Sequence, residues 1–154
     1  LIDEVFEGFE LDAEPKGISL KRKGLDKAVV EADYQKIKQV FVNLVSNSIK
    51  YGKENGQTTV SVFDLKEQIL IEVADNGVGI DKNDLPRIFE RFYRVDKSRS
   101  RNEGSSTGLG LSIVKHFLEA HNQEIKVRSS QGKGTVFTFT LAKSSEKFKQ
   151  LSLK

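Results

Sequence analysis

Several residue types are missing from this chain, and each absence excludes a class of protein. None of its 154 residues is cysteine, methionine or tryptophan. Without cysteine the chain can form neither disulfides nor thiolate metal sites. The sequence has no run of about 18 apolar residues and opens with no signal peptide, so it predicts no membrane span. Because methionine is absent even at the first position, we expect the chain to be a fragment of a longer protein.

The net charge is also small, and the chain has only two histidines. The net charge of +3 is too small to indicate nucleic-acid binding. The basic residues are spread out and are not interleaved with aromatic residues, so we predict no nucleic-acid partner. His116 and His121 lie five residues apart on a predicted helix with no third ligand nearby, which favours structural or surface roles over a metal site. The length fits one domain of ordinary size.

The apolar residues that are present recur in patterns that predict both helices and strands. Helices are predicted over residues 1–14, 34–50, 83–92 and 109–122, and strands over residues 18–22, 27–32, 58–65, 68–75, 124–130 and 135–142. This order predicts an α+β fold, a two-layer sandwich in which a mixed, mostly antiparallel sheet packs on helices. Residues 95–108 have no period, which is typical of a functional loop, and residues 143–154 are predicted to be a frayed C-terminal tail.

Polar side chains recur on one face of the helix predicted over residues 34–50. Asn43, Asn47 and Lys50 stand four and three residues apart, so they share that face. Two amide oxygens four residues apart can share a hard cation such as magnesium beside phosphate oxygens, and Lys50 adds a charge for phosphate. A solvated helix face explains the same pattern without any ligand.

The stretch EVADNGVGI ends a predicted strand with a carboxylate and two glycines. Asp75 can accept a hydrogen bond from an exocyclic amino group such as that of adenine, and it would reject guanine, which carries a carbonyl there. Gly77 and Gly79 would let the backbone approach a flat ring. A simple turn at Asn76 and Gly77 explains one glycine, but it explains neither the second glycine nor Val78 between them.

Two further glycine-rich stretches follow. In STGLGLSIVK, Gly108 and Gly110 precede a predicted helix, and free amides at a helix start bind phosphate. In GKGTVFTFTL the glycines turn the chain before Thr135, which opens the last predicted strand. A hairpin turn is the alternative explanation for this last stretch. No single stretch decides the function.

The order of these motifs resembles the catalytic and ATP-binding domain of bacterial sensor histidine kinases, within the gyrase, histidine kinase and MutL superfamily. Over about residues 1–142, NLVSNSIKY resembles the N box, DNGVG the first glycine box, RIFERFYRVD the F box, STGLGL the second glycine box and GKGTVF the third. The resemblance implies a Bergerat-type ATP-binding fold with residues 95–107 as the ATP lid. It also implies ATP and Mg²⁺ as cofactors and the activity of a protein-histidine kinase.

The resemblance also assigns roles to individual residues. The catalytic residues would be Asn43, Lys50 and Arg94. Asn43 and Asn47 would hold the magnesium that bridges the phosphates, and Asp75 would accept a hydrogen bond from the adenine amino group. Beside Asn47 and Asp75, the residues implied to bind the nucleotide are Tyr51, Gly77, Gly79, Ile80, Arg99, Thr107, Gly108, Leu109, Gly110, Leu111 and Thr135.

Asn43 bears on the mechanism that the resemblance implies. Relatives that hydrolyse ATP carry a glutamate one turn before the second asparagine, whereas an amide cannot take a proton from water. The site is therefore expected to hold ATP in line for an external nucleophile, a neutral histidine imidazole. Neither His116 nor His121 has the sequence context of the family's acceptor histidine, so we expect no autophosphorylation by this chain alone.

Three further positions concern the lid. Phe89 and Phe92 would anchor its base, although aromatic residues on a helix fit a core equally well. Ser106 stands where the family often has a glycine, and this departure bears on lid closure more than on binding.

The implied partners are a histidine-bearing dimerisation domain of the same parent protein and a response regulator receiver domain. The parent is expected to be a membrane-anchored homodimer with this domain in the cytoplasm, and the isolated domain is expected to be a monomer. One alternative is a protein serine kinase of the anti-sigma-factor type, which the F box disfavours. Another is a non-catalytic docking module, which the presence of Asn47 and Asp75 disfavours.

Overall fold

The helices follow the apolar periodicity of the sequence. In this computed structural model, which describes residues 1–95, 109–144 and 151–152, helix α2 (Tyr34–Lys50) buries its apolar stripe. The Asp33 carboxylate accepts a hydrogen bond from the backbone N–H of Lys36 at 3.0 Å, as expected of an N-cap. The other α-helices in the described ranges are α1 (Ile2–Ala13) and α3 (Gly110–Glu119). No helix in these ranges has the length and apolar content needed to cross a membrane.

The strands form one large sheet and one small one. The strands of the described residues are β1 (Ser19–Gly24), β2 (Val29–Val30), β3 (Gln57–Asp64), β4 (Gln68–Asp75), β5 (Lys126–Ser130), β6 (Gly134–Ala142) and β7 (Leu151–Ser152). The large sheet has the order β1-β3-β4-β6-β5. Its β1–β3 pair is parallel and its other pairs are antiparallel. The predicted α+β sandwich with a mixed, mostly antiparallel sheet is confirmed.

The core lies between the helices and one face of the large sheet. Val60 pairs with Val73 and Val73 with Phe137 across three strands, and all three are at most 2% exposed. Phe139, two residues further along β6 and on the same face, meets the ring of Phe41 in α2 edge-on at 5.8 Å between centroids. The alternation of the strands therefore directs one apolar face toward the helices.

The helix predicted over residues 83–92 does not form. The structure has only a 3₁₀ helix, Leu85–Arg87, followed by turns. Pro86 fits the start of a helical turn, so it does not explain the early end. Phe92 has a φ of 65°, which lies outside the right-handed helical region. The apolar residues of this segment are spaced to make tertiary contacts, and they do not form one face of a helix.

The two strands predicted around Gly24 do not pair with each other. Strand β1 runs through Gly24 and pairs with β3. Gly24 has a φ of +86°, and a Cβ there would lie 2.1 Å from the carbonyl oxygen of Val62, so the close strand approach requires glycine. Strand β2 is two residues long and pairs with β7. A parallel partner 38 residues away cannot be read from the local pattern of the two strands.

The tail predicted over residues 143–154 is partly ordered into this small sheet. The backbone N–H of Ser144 donates to the carbonyl oxygen of Val29 at 2.9 Å, and Leu151–Ser152 pairs antiparallel with Val29–Val30. A two-residue strand is too short to show a period from which it could be predicted. Residues 145–150 and 153–154 lie outside the described residues.

His121 joins the end of α3 to the start of α2. Its Nε2 accepts a hydrogen bond from the backbone N–H of Asp33 at 3.0 Å, and its Nδ1 lies 2.7 Å from the carbonyl oxygen of Phe117. A backbone N–H can only donate, so Nε2 accepts and the proton of a neutral ring sits on Nδ1. His121 therefore has a structural role, while His116 is exposed on the same chain segment.

We expect His121→Ala to lower the free energy of unfolding by about 1–2 kcal/mol, because it removes both of these hydrogen bonds. Urea denaturation measures the change. His116→Ala is the matched control and should stay within about 0.5 kcal/mol of the parent. Equal effects of the two substitutions would contradict the role assigned to His121.

Candidate functional site

The core-facing side of the sheet ends in a row of four polar residues. Thr58 of β3 pairs with Asp75 of β4, Asp75 with Thr135 of β6, and Thr135 with Ser129 of β5. They continue the alternation of the core residues, so their side chains point to the face that the helices cover. Thr58 is 0% exposed and Thr135 is 5% exposed. Polar groups at this depth need hydrogen-bond partners, and we call these four residues the polar row.

Helix α2 supplies a partner at one end of the polar row. The hydroxyl of Ser48, which is buried, lies 2.9 Å from the hydroxyl of Thr58 and donates to the carbonyl oxygen of Val45 at 2.7 Å. Ser48 directly follows Asn47, so the N-box stretch and the polar row are in contact. The two stretches are separate in the sequence and meet only in the fold.

Asp75 is the ionisable member of the polar row. Its Oδ1 accepts a hydrogen bond from the backbone N–H of Gly77 at 2.9 Å. Burial raises the pKa of the Asp75 carboxyl above its ordinary value, and the backbone N–H groups of Gly77 and Thr135 offset part of that rise. Within the described part of the chain it forms no salt bridge. A half-buried carboxylate held only by backbone N–H groups is suited to accept a further hydrogen bond.

The glycines after Asp75 are required by backbone packing. A Cβ at Gly77 would lie 2.1 Å from the carbonyl oxygen of Tyr51, the residue that ends α2. A Cβ at Gly79, where φ is +75°, would lie 2.1 Å from the carbonyl oxygen of Ser130. Val78 between them donates its N–H to Tyr51 at 3.1 Å, while its side chain is 55% exposed. The turn is thus clamped between α2 and the end of β5, which explains both glycines.

The polar face of α2 is half-buried and borders α3. Asn43, Asn47 and Lys50 are each partly covered. The side chain of Asn43 donates to the carbonyl oxygen of Gly110 at 3.1 Å and accepts from Gln39 at 2.7 Å. The alternative of a freely solvated helix face does not fit this arrangement, because the first turn of α3 packs against it.

The end of α2 is stabilised by a residue that the sequence did not point to. The ammonium group of Lys16 donates to the carbonyl oxygens of Ile49 and Lys50 at 3.1 and 2.8 Å, which adds hydrogen bonds to carbonyls at the helix C-terminus. The ammonium group of Lys50 lies 5.5 Å from the ring centre of Tyr51. The positions of Lys50 and Tyr51 at the end of the helix are therefore well defined.

The second glycine box is described only in part. Leu109 precedes α3, and Gly110 and Leu111 are its first two residues. A Cβ at Gly110 would meet no described atom within 4 Å, so packing does not explain a glycine there. The predicted residues Arg99, Thr107 and Gly108, together with Ser106 and the lid except Val95, lie outside the described residues.

The F-box aromatics have different surroundings. Phe89 meets Phe137 of the core edge-on at 6.2 Å between ring centroids. Phe92 is 65% exposed, and its expected role at the base of the lid stays a prediction because the lid beyond Val95 lies outside the described residues. The hydroxyl of Tyr93 donates to the carboxylate of Asp84, which closes this segment into a loop. Arg94, next along the chain, is half-buried.

Sequence reasoning missed three hydroxyl residues of this site. Thr58 and Ser129 complete the polar row, and Ser48 covers one end of it. A signal for the two strand residues did exist, because each occupies a core-facing position in its alternating pattern. No such signal marks Ser48, since its contact depends on how α2 lies on the sheet.

Comparison with known proteins identifies the class of this fold and site. A model of the family of histidine kinase-, DNA gyrase B- and HSP90-like ATPases matches residues 32–145, and the chain belongs to that family. The sensor histidine kinase WalK of Bacillus subtilis is 48% identical over 119 residues, which is 76% of this chain and 19% of WalK. The phosphate regulon sensor protein PhoR of Pseudomonas aeruginosa is 43% identical over 102 residues, 66% of this chain and 23% of PhoR.

A solved structure narrows the assignment within the family. The catalytic domain of histidine kinase ThkA superposes with a TM-score of 0.79 and 31% identity, covering 96% of this chain and 93% of that domain. The resemblance to the ATP-binding catalytic domain of sensor histidine kinases is therefore confirmed. The chain spans about a fifth of the length of the curated relatives it matches, so it corresponds to their catalytic domain and not to the whole proteins.

Proposed function

We propose that this domain binds ATP with magnesium and delivers the γ-phosphate to a histidine on a separate dimerisation domain of its parent protein. The observation that carries the proposal is the polar row with Asp75 at its centre. Hydrogen bonds join Asn43 to Gly110 and Ser48, the residue after Asn47, to Thr58, and Thr58 pairs with Asp75 in the sheet. The motifs that the resemblance assigns to phosphate, magnesium and adenine are therefore neighbours in the fold.

Asp75 is proposed to recognise adenine. Its ionised carboxylate can only accept hydrogen bonds, and the six-amino group of adenine can donate one. Thr135, the neighbour of Asp75 in the polar row, supports this group from β6. Tyr51, Gly77, Gly79 and Ile80 shape the same pocket; all four lie on the end of α2 or on the turn clamped against it.

The amide oxygens of Asn43 and Asn47 are proposed to hold magnesium. They are hard oxygen donors one helical turn apart, a donor set that suits this ion together with phosphate oxygens. The Asn43 oxygen accepts from Gln39 at 2.7 Å, which uses one of its two lone pairs and would leave the other for the ion. Bound magnesium neutralises phosphate charge and fixes the phosphate conformation.

Lys50 and Arg94 are proposed to neutralise the charge that develops on the γ-phosphate during transfer. The backbone amides of Leu109, Gly110 and Leu111 at the start of α3 face the phosphates in this proposal, with Arg99, Thr107 and Gly108 acting from the lid. Packing against the described residues does not require a glycine at position 110. A glycine there is consistent with a backbone that comes close to a ligand.

Transfer to an external imidazole, rather than to water, follows from Asn43. A side-chain amide cannot accept a proton from an attacking water, so the domain is proposed to hold ATP with slow hydrolysis. A neutral imidazole needs no such base, because it attacks through its own lone pair.

The partners of the parent protein are proposed from its relatives. Histidine kinase ThkA has been solved in complex with response regulator protein TrrA, and that kinase chain is 30% identical with a TM-score of 0.74 over 96% of this chain and 40% of its own length. This supports a response regulator as the downstream partner here. A homodimeric, membrane-anchored parent with this domain in the cytoplasm, and a monomeric isolated domain, complete the proposal.

Titration calorimetry with non-hydrolysable ATP and GTP analogues, each with and without magnesium, tests the proposal. We expect binding of the ATP analogue that strengthens with magnesium and is at least about 100-fold tighter than for the GTP analogue. Mixing the domain with ATP and a histidine-bearing dimerisation domain should then give acid-labile phosphohistidine, with hydrolysis to free phosphate much slower. Equal binding of both analogues, or rapid hydrolysis without the second domain, would refute the proposal.

A further inference from the structure

We propose that Ser129 fixes the direction of the hydrogen bonds around Thr135 and thereby sets the selectivity of the site for a six-amino over a six-oxo purine. The inference rests on the proposed function, because it concerns how the same pocket recognises its base. Ser129 has no role in the residue assignments that the resemblance implies. It lies on β5, beside Thr135 of β6 and two positions from Asp75 in the polar row.

The hydroxyl of Ser129 is in contact with three polar groups at once. The backbone N–H of Ile80 donates to it at 2.7 Å. The hydroxyl itself donates to the carbonyl oxygen of Gly134 at 2.9 Å. Its oxygen also lies 2.8 Å from the hydroxyl oxygen of Thr135. It therefore ties Ile80, the residue directly after the first glycine box, to Thr135 of the third.

The proton of each hydroxyl can be assigned by counting donors and acceptors. Ser129 has one proton and two lone pairs. The N–H of Ile80 fills one lone pair and the carbonyl of Gly134 takes the proton, so the hydroxyl of Thr135 has to donate to the second lone pair. The reverse direction, in which Ser129 donates to Thr135, leaves the Gly134 carbonyl without this bond and forms one bond fewer. Since Thr135 is buried, the arrangement with more bonds is favoured.

Thr135 then has no proton left for a ligand and offers only lone pairs. Ionised Asp75, its neighbour in the polar row, also offers only lone pairs. A water molecule between the two would donate both of its protons to them and could then only accept. Directly or through such a water, the pocket therefore presents acceptors, which fit the N–H groups of a six-amino purine and oppose the carbonyl of a six-oxo purine.

The test compares ATP with inosine triphosphate, which carries an oxo group at position six, by titration calorimetry with magnesium. The measured quantity is the ratio of the two affinities. Ser129→Ala removes the acceptor for the Thr135 proton and frees that proton to donate into the pocket. We expect the ratio to fall roughly tenfold, the value of one hydrogen bond of about 1.4 kcal/mol. Ser129→Thr, which keeps the hydroxyl, should restore it.

Ser130→Ala is the matched control, because Ser130 is the next residue on β5, is exposed and should leave the ratio unchanged. If Ser129→Ala weakened both nucleotides equally, Ser129 would only stabilise the loop and the inference would be overturned. If Ser129→Ala does not fold, Ser129→Cys replaces the hydroxyl with a weak acceptor of similar size and should lower the ratio likewise; an unchanged ratio there also overturns it. A parent chain that binds neither nucleotide would instead refute the proposed function.

Discussion

Asp75→Asn is expected to bind ATP at least about 100-fold more weakly than the parent chain. The substitution keeps the size of the side chain but replaces one acceptor oxygen by an NH₂ group. That group would face either the amino group of adenine or the backbone N–H of Gly77, which bonds the carboxylate here, and both of these are donors. The loss of one hydrogen bond to a charged acceptor and the facing of two donors together account for about 2.7 kcal/mol, which is 100-fold in affinity.

The pKa of Asp75 indicates that its carboxylate is not there for stability. Burial raises the folded-state pKa above the value in the unfolded chain. The native state therefore binds this proton more tightly, and above the raised pKa the ionised side chain lowers the stability of the fold. That penalty disappears as the pH falls through the raised pKa to about 3.9, the ordinary value for aspartate. At neutral pH the protein tolerates this cost, which is expected of a binding residue.

Calorimetry with an ATP analogue and magnesium measures the effect of Asp75→Asn, and urea denaturation shows that the variant is folded. Glu72→Gln is the matched control, because it makes the same change of charge on the same strand, three residues away on the opposite face of the sheet. The Glu72 carboxylate lies 4.0 Å from the guanidinium of Arg128 at the surface, so the control should bind within about twofold of the parent. If Asp75→Asn bound ATP as tightly as the parent, Asp75 would not be the residue that recognises adenine.

Local patterns predicted the elements that depend on local physics. The period of α2 needs no knowledge of the remaining chain, and the helix was predicted at the right residues. Strands β3 and β4 likewise followed from the apolar patterns predicted over residues 58–65 and 68–75. The helix predicted over residues 83–92 was wrong because the apolar residues of this segment make contacts with distant parts of the chain. Phe89 packs on Phe137, and such a contact produces helix-like spacing without a helix.

The pairing between strands limited how many residues of the site could be predicted from the sequence. Asp75 and Thr135 were singled out from their motifs, but their neighbours in the polar row were not. Thr58 and Ser129 belong to the site only because the register places them beside these two residues, and register between distant strands is not encoded in any one stretch. The motifs therefore singled out Asp75 and Thr135, whereas their neighbours in the polar row could be found only from the fold.

Gly77→Ala is expected to lower the free energy of unfolding by about 3 kcal/mol, the upper range for overpacking a closely packed site. Its Cβ would lie 2.1 Å from the carbonyl oxygen of Tyr51 and 2.9 Å from the Cα of Gly52. Both are backbone atoms, so no side-chain rotation can relieve the clash. Moving the turn away would also break the hydrogen bond from Val78 to Tyr51 and the one from Gly77 to Asp75.

Urea denaturation measures this change, with Gly8→Ala as the matched control. Gly8 is exposed within α1, and a Cβ there would meet nothing within 4 Å, so alanine should stabilise the protein by about 0.5–1 kcal/mol through helix propensity. The pair of variants separates the two explanations for Gly77. If Gly77 were needed only to let the backbone approach the adenine ring, Gly77→Ala would keep the full stability of the protein and lose ATP affinity. A glycine kept for the clamp requires that stability falls even in the absence of nucleotide, because the obstructing atoms belong to the protein itself.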